Sequence, residues 1–99
     1  MPASSMTLCA IFRIPPDGLA AFLAYEDAVL PLLAEHGGVL TQRLRSGDSA
    51  TEIHVIRFQS AAHLDAYRAD PRRLARAPEF ARSGATAETL LMDDVTVPD

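Results

Sequence analysis

The segment of residues 6–14 constrains the fold most, because it is apolar at both sets of alternating positions. Leu8 and Ala10 would point to one face of a strand, whereas Cys9 and Ile11 would point to the other,. This pattern predicts a strand that is buried on both faces. Since a chain of 99 residues has room for only one sheet and one layer of helices,, one face of that sheet needs a cover that its own helices do not provide.

The next segment predicts a long helix over residues 18–36. Asp17 is a suitable N-cap, and Gly37 follows the last helical position,. Pro31 removes one backbone hydrogen bond inside this segment, so we expect the helix to kink there,.

The rest of the chain alternates between strand and helix signals. We predict strands over residues 39–45 and 51–58 that form a hairpin, a short helix over 61–69 capped by Ser60, a helical segment that restarts at Asp70 and is interrupted by Pro78, and a last strand over 85–97,.

The order βαββαβ predicts an α+β, ferredoxin-like fold. Right-handed crossovers place the third strand between the first two, which gives a four-stranded antiparallel sheet in the order 4-1-3-2 with both helices on one face. We expect a single domain over residues 1–99, with tails at 1–5 and 98–99. Because a bare apolar sheet face is unusual in a monomer, we expect the chain to form a homodimer through the sheet.

The composition of the chain argues against some classes of binding partner. The net charge is −4 and all nine basic residues are arginine, which argues against a nucleic-acid partner, since phosphate neutralisation needs a basic surface. No apolar run approaches the ~18–20 residues that cross a bilayer. The first residues also lack the basic and apolar regions of a signal peptide,. We therefore expect no membrane partner and a cytoplasmic location.

Four short motifs carry a family resemblance: residues 25–31 (YEDAVLP), 35–38 (EHGG), 52–60 (EIHVIRFQS) and 66–71 (AYRADP). With these motifs the chain resembles the dimeric α/β-barrel superfamily, which includes the antibiotic-biosynthesis-type monooxygenases. It is most similar to a branch of small bacterial proteins of unknown function. The resemblance implies a ligand cleft between the sheet and the helices of each protomer, and it implies no particular set of catalytic residues.

Glu26 falls inside the apolar arc of the first helix and should face the sheet,. A buried carboxylate is costly unless it is protonated, hydrogen-bonded or paired. Glu26 is therefore a candidate general base or substrate anchor with a raised pKa. The alternatives are a structural ion pair with an arginine, or a carboxylate that reaches solvent where Pro31 kinks the helix.

His54 shares one face of the third strand with Glu52 and Phe58,. Because Phe58 directly precedes the Ser60 cap, this face should lie under the helices and direct His54 towards Glu26. A glutamate beside a histidine is a suitable acid–base pair, since histidine titrates near neutrality. The alternative is a core or interface histidine that is bonded to the backbone.

Three arginines, Arg43, Arg45 and Arg57, occupy strand positions. A guanidinium there could bind an anionic ligand or pair with Glu52 or Asp48 across a subunit interface. We favour Arg43 as a ligand-binding residue of the cleft and Arg57 as an interface residue.

Tyr25 and Tyr67 lie at the edges of their helices' apolar arcs, so either could place its hydroxyl in the cleft or only at its rim,. His36 lies in the last turn of the first helix, where we expect it to act as a cap. We expect His63 to be in solvent and Cys9 to be a small buried hydrophobic residue.

The sequence indicates no metal and no cofactor. The three histidines lack the spacing of metal ligands, and a single cysteine cannot build a thiolate cage,. A phosphate-binding glycine loop, a dinucleotide fingerprint and a serine nucleophile elbow are also missing from the sequence,. We interpret the arginine-rich stretch around Arg72 and Arg73 as a solvated face that nearby carboxylates balance.

Together these residues favour a homodimer that binds a small, partly apolar organic molecule in a cleft of each protomer. If the protein is an enzyme, Glu26 or His54 would remove a proton beside a carbonyl, and Arg43 or Tyr25 would hold the oxyanion. An isomerase would return that proton, whereas a cofactor-independent oxygenase, which the resemblance allows, would let the carbanion react with dioxygen. The alternative is a non-catalytic ligand-sensing or interaction module in which the same polar residues form a structural network.

Overall fold

The computed structural model describes residues 5–98 and contains a four-stranded antiparallel sheet. Its strands are β1 (Met6–Arg13), β2 (Gly38–Arg45), β3 (Thr51–Phe58) and β4 (Thr86–Met92). They lie in the order β2-β3-β1-β4, so the α+β, ferredoxin-like fold and the strand order predicted from the sequence are confirmed. The expected tails, residues 1–5 and 98–99, lie mostly outside the described residues.

Five helical segments connect these strands: α1 (Leu19–Val29), a 3-10 helix (Leu30–His36), α2 (Ala61–Arg68), α3 (Pro71–Leu74) and α4 (Ala77–Ser83). Within residues 5–98, no helix has both the length and the apolar character that crossing a membrane requires. Ser60 and Asp70 cap α2 and α3, because their side chains accept hydrogen bonds from the backbone N–H groups of His63 and Arg72,.

The expectation of one helix kinked at Pro31 is wrong. The α-helix ends at Val29, and the chain continues as a 3-10 helix that has Pro31 in its first turn. A proline is tolerated there because the first N–H groups of a helix have no partner within it. Gly37, with a φ of +66°, then closes the 3-10 helix in the left-handed conformation,.

Two expectations about the second half of the chain are also corrected. Pro78 does not interrupt a helix but lies in the first turn of α4, for the same reason as Pro31. The last strand ends at Met92 rather than at residue 97, and all seven of its residues are exposed. The helices therefore leave β4 uncovered.

The two faces of the sheet differ in what they contact. On the helical face, Leu8, Ile56 and Phe58 are buried and pack in one cluster with Leu33 and Leu64 of the helical layer. This packing confirms that Phe58 lies under the helices.

The opposite face carries apolar side chains that none of the helices in the described residues covers. Cys9 pairs with Val55 of β3 and Leu90 of β4, so these three residues share this bare face,. Leu44 and Leu90, on the two outer strands, are 52% and 41% exposed. Cys9, expected to be buried, is only half-buried here.

Gly18 provides a test of how α1 and α4 pack. A Cβ added at Gly18 would lie 1.9 Å from the backbone oxygen of Ser83, so the two backbones would have to separate. We expect Gly18→Ala to lower the free energy of unfolding by roughly 1–3 kcal/mol, the usual cost of overpacking, as measured by urea denaturation. Gly47→Ala is the control, because a Cβ at Gly47 meets no atom within 4 Å. Equal stability of the two variants would contradict this close packing.

Candidate functional site

A cavity of about 210 Å³ lies between the sheet and the helices, where the family resemblance implies a cleft. Its walls are mainly apolar and aromatic. The ring of Phe12 is central, with its centroid 4.9 Å from that of His54 and 6.3 Å from that of Phe80. Thr89 of β4 and Arg68 of α2 also line the cavity and are exposed, so they mark its open side.

Glu26 brings an acidic group into this cavity from the inner face of α1. It is 2% exposed, and its Oε1 atom has no hydrogen-bond partner among residues 5–98. Its Oε2 atom lies 3.7 Å from Nδ1 of His54. Burial raises the pKa of Glu26 from 4.5 to about 7, the negative charge of Glu52 adds to the rise, and the charges of Arg43 and Arg73 oppose it. Glu26 therefore exchanges its proton near neutral pH.

His54 reaches the same cavity from β3, as the alternation of that strand predicts. Its Nε2 atom is 2.6 Å from Oε2 of Glu52. Since an ionised carboxylate can only accept hydrogen bonds, Nε2 must carry the proton and donate it, which leaves a lone pair on Nδ1 facing Glu26. Burial lowers the pKa of His54, although the bond to Glu52 opposes that shift. The imidazole is therefore neutral near pH 7.

Glu52 is the anion that fixes this tautomer. It is fully buried, and its carboxylate also accepts hydrogen bonds from Nε of Arg43 at 3.0 Å and from Nε of Arg45 at 2.7 Å. Burial alone would raise the pKa of Glu52, but the hydrogen bonds from His54, Arg45 and Arg43 outweigh it and lower that pKa. The register of the sheet produces this arrangement, because Arg43 lies beside His54 and Arg45 beside Glu52.

Of the strand arginines, Arg43 and Arg45 lie elsewhere than the predicted ligand-binding and intersubunit positions, whereas the interface role of Arg57 stays a prediction. Arg43 is held on Glu52 and is not among the residues that line the cavity. Its ion pair, and that of Arg45, form within one chain rather than between subunits. Arg57 lies on the bare face, where it donates to Oγ1 of Thr7 and to Asp94.

Both predicted tyrosines line the cavity. Tyr25 and Tyr67 are buried, and burial raises the pKa of each phenol, with the charge of Arg73 opposing the rise. Each hydroxyl therefore stays protonated at neutral pH and can donate a hydrogen bond.

Arg73 is a cavity residue that the sequence analysis missed, because we placed it on a solvated face. Neighbouring helical residues point about 100° apart, so the adjacent arginines of α3 diverge. Arg72 binds Asp70 and Glu35 on the outside, whereas Arg73 lines the cavity and lies over the ring of Tyr67, 5.0 Å from its centroid.

The remaining histidines lie away from this cavity. His36 is bonded to the buried carboxylate of Asp70, with Nε2 2.8 Å from Oδ2. His63, expected in solvent, is half-buried and its Nδ1 atom is 2.6 Å from Oγ of Ser60. Both therefore hold the helical layer together.

The site also contains a group of possible metal ligands that residue spacing did not reveal. Glu26, Glu52 and His54 each offer one ligand atom, and these atoms lie within 4.8 Å of one another. A cation there would have to displace Arg43 and Arg45, whose charges already compensate Glu52. The donor set thus suits hydrogen bonding and proton transfer better than it suits a metal ion.

Comparison of the chain with protein-family models and with curated protein sequences gives no match.

Comparison with solved structures gives several close matches to the fold. SnoaB from Streptomyces nogalater, a cofactor-independent oxygenase, superposes with a TM-score of 0.77 at 19% identity over 96% of this chain and 97% of that one. A Caulobacter crescentus protein assigned as an antibiotic biosynthesis monooxygenase has a TM-score of 0.79 at 13% identity, over 95% and 92% of the two chains. Rv0793 from Mycobacterium tuberculosis has a TM-score of 0.69 at 26% identity, over 95% and 100%.

These matches extend over nearly the whole of each chain. They confirm at the level of the fold the resemblance that the sequence motifs carry. The chain has the ferredoxin-like fold of the antibiotic-biosynthesis-monooxygenase-like proteins.

Proposed function

We propose that the protein binds a small, largely apolar organic molecule in this cavity and exchanges a proton with it without a cofactor. The observation that carries the proposal is the placement of Glu26. This carboxyl group is buried in the cavity wall, has one oxygen without a partner in the described part of the chain, and lies 3.7 Å from His54. A pKa of about 7 suits a general acid–base residue, because both protonation states are then populated at neutral pH.

The chemistry that this geometry supports best is removal of a proton from a carbon beside a carbonyl. Ionised Glu26 accepts the proton, and the lone pair on Nδ1 of His54 stabilises the protonated carboxyl group. Tyr25 is the cavity residue suited to hold the oxyanion, since its phenol remains a donor,. Arg43, the other candidate for that role, is engaged by Glu52.

The fate of the carbanion divides the enzymatic proposal in two. An isomerase returns the proton to a different carbon. An oxygenase instead lets the carbanion react with dioxygen, so that a CH₂ group is oxidised to a carbonyl while the second oxygen atom leaves as water. The similarity in fold to SnoaB, a cofactor-independent oxygenase, supports the oxygenase.

A second candidate function is a non-catalytic ligand-sensing or interaction module. Two observations favour it. The hydrogen bonds that Glu52 accepts come from residues of the same chain, as expected for a structural network. The cavity, at about 210 Å³, is also smaller than the ~300–1,000 Å³ usual for sites that take drug-sized ligands.

We also propose that the protein is a homodimer in which a second copy covers the bare face of the sheet. The centre of this face is apolar, at Cys9, Val55 and Leu90, and charges of both signs, Arg57 and Glu88, lie around it. A two-fold axis through such a surface buries the apolar centre and can bring opposite charges together.

The enzymatic proposal predicts proton exchange that depends on Glu26. Small carboxylates, quinones and phenols are first screened for a rise in melting temperature, which needs no assay of turnover. Each stabilising compound with a C–H group beside a carbonyl is then incubated with the protein in D₂O, and exchange of that proton is followed by NMR. We expect Glu26→Gln to slow the exchange by about 100-fold or more, the usual contribution of a general base.

The control for this experiment is Asp65→Asn, which removes an exposed carboxylate on α2. Consumption of dioxygen, measured with an electrode, separates an oxygenase from an isomerase. Unchanged exchange in Glu26→Gln would contradict the role of Glu26. Compounds that stabilise the protein but never exchange would favour the sensing module.

The raised pKa of Glu26 also predicts how stability depends on pH. The unfolded chain releases this proton near pH 4.5 and the folded chain near pH 7, so the folded state binds more protons in between and stability must fall as pH rises through this window. We expect Glu26→Gln to gain roughly 2–3 kcal/mol over the wild type between pH 5 and pH 8.5. Urea denaturation at one protein concentration measures this gain, and parallel pH profiles would refute the shift.

The dimer proposal predicts a mass of twice 10.7 kDa by light scattering at low micromolar protein. Val55→Glu places a charge at the centre of the bare face, so we expect this variant to scatter as a monomer with an unchanged circular dichroism spectrum. Ala62→Glu, on the exposed side of α2, adds the same charge elsewhere and should remain dimeric. A wild-type protein that is monomeric at this concentration would exclude the dimer.

A further inference from the structure

The arginines of this chain divide into those that have a carboxylate partner and those that do not. Five of the nine arginines form an ion pair within the chain: Arg43, Arg45, Arg57, Arg72 and Arg76. Arg68 and Arg73 are not paired with a carboxylate of residues 5–98, and both line the cavity. The cavity wall therefore carries positive charge that the described part of the chain does not compensate.

Arg73 is the better placed of the two to contact a ligand. Its Nε atom is buried and has no hydrogen-bond partner among the described residues. A buried N–H donor without an acceptor is costly. We therefore expect a ligand atom to accept a hydrogen bond from this N–H group. The ring of Tyr67 holds the guanidinium in position by a cation–π contact at 5.0 Å,.

The charge of Arg73 also acts on the interior of the cavity. It lowers the pKa of three of the titratable groups that line the cavity, Tyr25, Glu26 and Tyr67, against the effect of burial. Arg68, on the exposed side, adds a second positive charge where the cavity opens, and such a charge favours the entry of anions.

We propose that Arg73 binds a carboxylate of the ligand, and that the ligand of this cavity is a small carboxylic acid with a compact aromatic body. The inference rests on the proposed function of the cavity as a binding site for a small organic molecule. A guanidinium matches a carboxylate in charge and in the geometry of its two N–H donors. The aromatic body contacts Phe12 and Phe80, which line the same cavity.

The size of the cavity sets the size of that body. A dry cavity of about 150 Å³ accepts benzene, so about 210 Å³ accommodates one ring with a short substituent. The ion pair between Arg73 and the carboxylate is neutral as a unit. Glu26 can therefore gain or lose its proton beside the bound ligand without facing a second uncompensated anion.

The test compares matched acids and amides. Benzoate, phenylacetate and cinnamate are each titrated against the protein at neutral pH by calorimetry, alongside benzamide, phenylacetamide and cinnamamide. We expect at least one acid to bind roughly tenfold or more tightly than its amide, as a charged hydrogen bond implies. Arg73→Met should remove that preference and leave the affinity for the amide unchanged.

Two further variants control for charge and for folding. Arg82→Met removes an exposed arginine of α4 that is not in the cavity wall, and it should keep the preference for the acid. Arg73→Lys keeps the charge but loses the Nε donor, so its affinity for the acid should lie between those of the wild type and Arg73→Met. If Arg73→Met fails to fold, as judged by circular dichroism, the lysine variant carries the test.

The outcomes separate this inference from the function on which it rests. If an acid and its amide bind equally well, or if Arg73→Met and Arg73→Lys both bind the acid as tightly as the wild type, the carboxylate assignment is overturned and the cavity still binds small molecules. If none of the acids or amides binds, the carboxylate assignment and the proposed binding function both fail.

Discussion

The buried charge of Glu52 is the constraint on which the rest of the site depends. A carboxylate in this position is tolerable only when each oxygen is hydrogen-bonded and the charge is compensated. Arg43, Arg45 and His54 provide those bonds. Both arginines reach Glu52 because the β2–β3 register sets them on the helix-facing side of the sheet, beside His54 and Glu52. Loss of either arginine would leave a buried anion only partly compensated.

Because the negative charge of Glu52 is compensated, Glu52 stays ionised, and this determines which other group of the site can exchange a proton near neutral pH. Because Glu52 remains ionised, it fixes the Nε2–H tautomer of His54, and burial keeps that ring neutral. Burial raises the pKa of Glu26 to about 7, and the negative charge of Glu52 adds to the rise. The group that can gain and lose a proton near neutral pH is therefore Glu26, and the neutral ring of His54 lies 3.7 Å from it.

The sequence predicted backbone directions better than the ends of long side chains. The two-residue period of β3 placed Glu52 and His54 on the helical face, and the 3.6-residue period of α1 placed Glu26 opposite them. Both predictions were correct because these periods follow from backbone geometry. Arg43 was also on the right side of its strand, but its flexible side chain reaches Glu52 instead of the cavity. The start of α3 at Asp70 was predicted correctly. Which of its two adjacent arginines lines the cavity depends on how α3 packs against α1 and α2, and no local pattern reveals that packing.

Strand β4 connects the cavity with the bare face of the sheet. Ala87 and Thr89 line the cavity, whereas Glu88 and Leu90 of the same strand point to the opposite side. No helix within residues 5–98 covers this strand, and all of its residues are exposed. A ligand in the cavity and a second copy on the bare face would therefore stabilise the same strand from its two sides. Since coupling between two binding equilibria is reciprocal, a ligand that favoured dimerisation through β4 would itself be bound more tightly by the dimer.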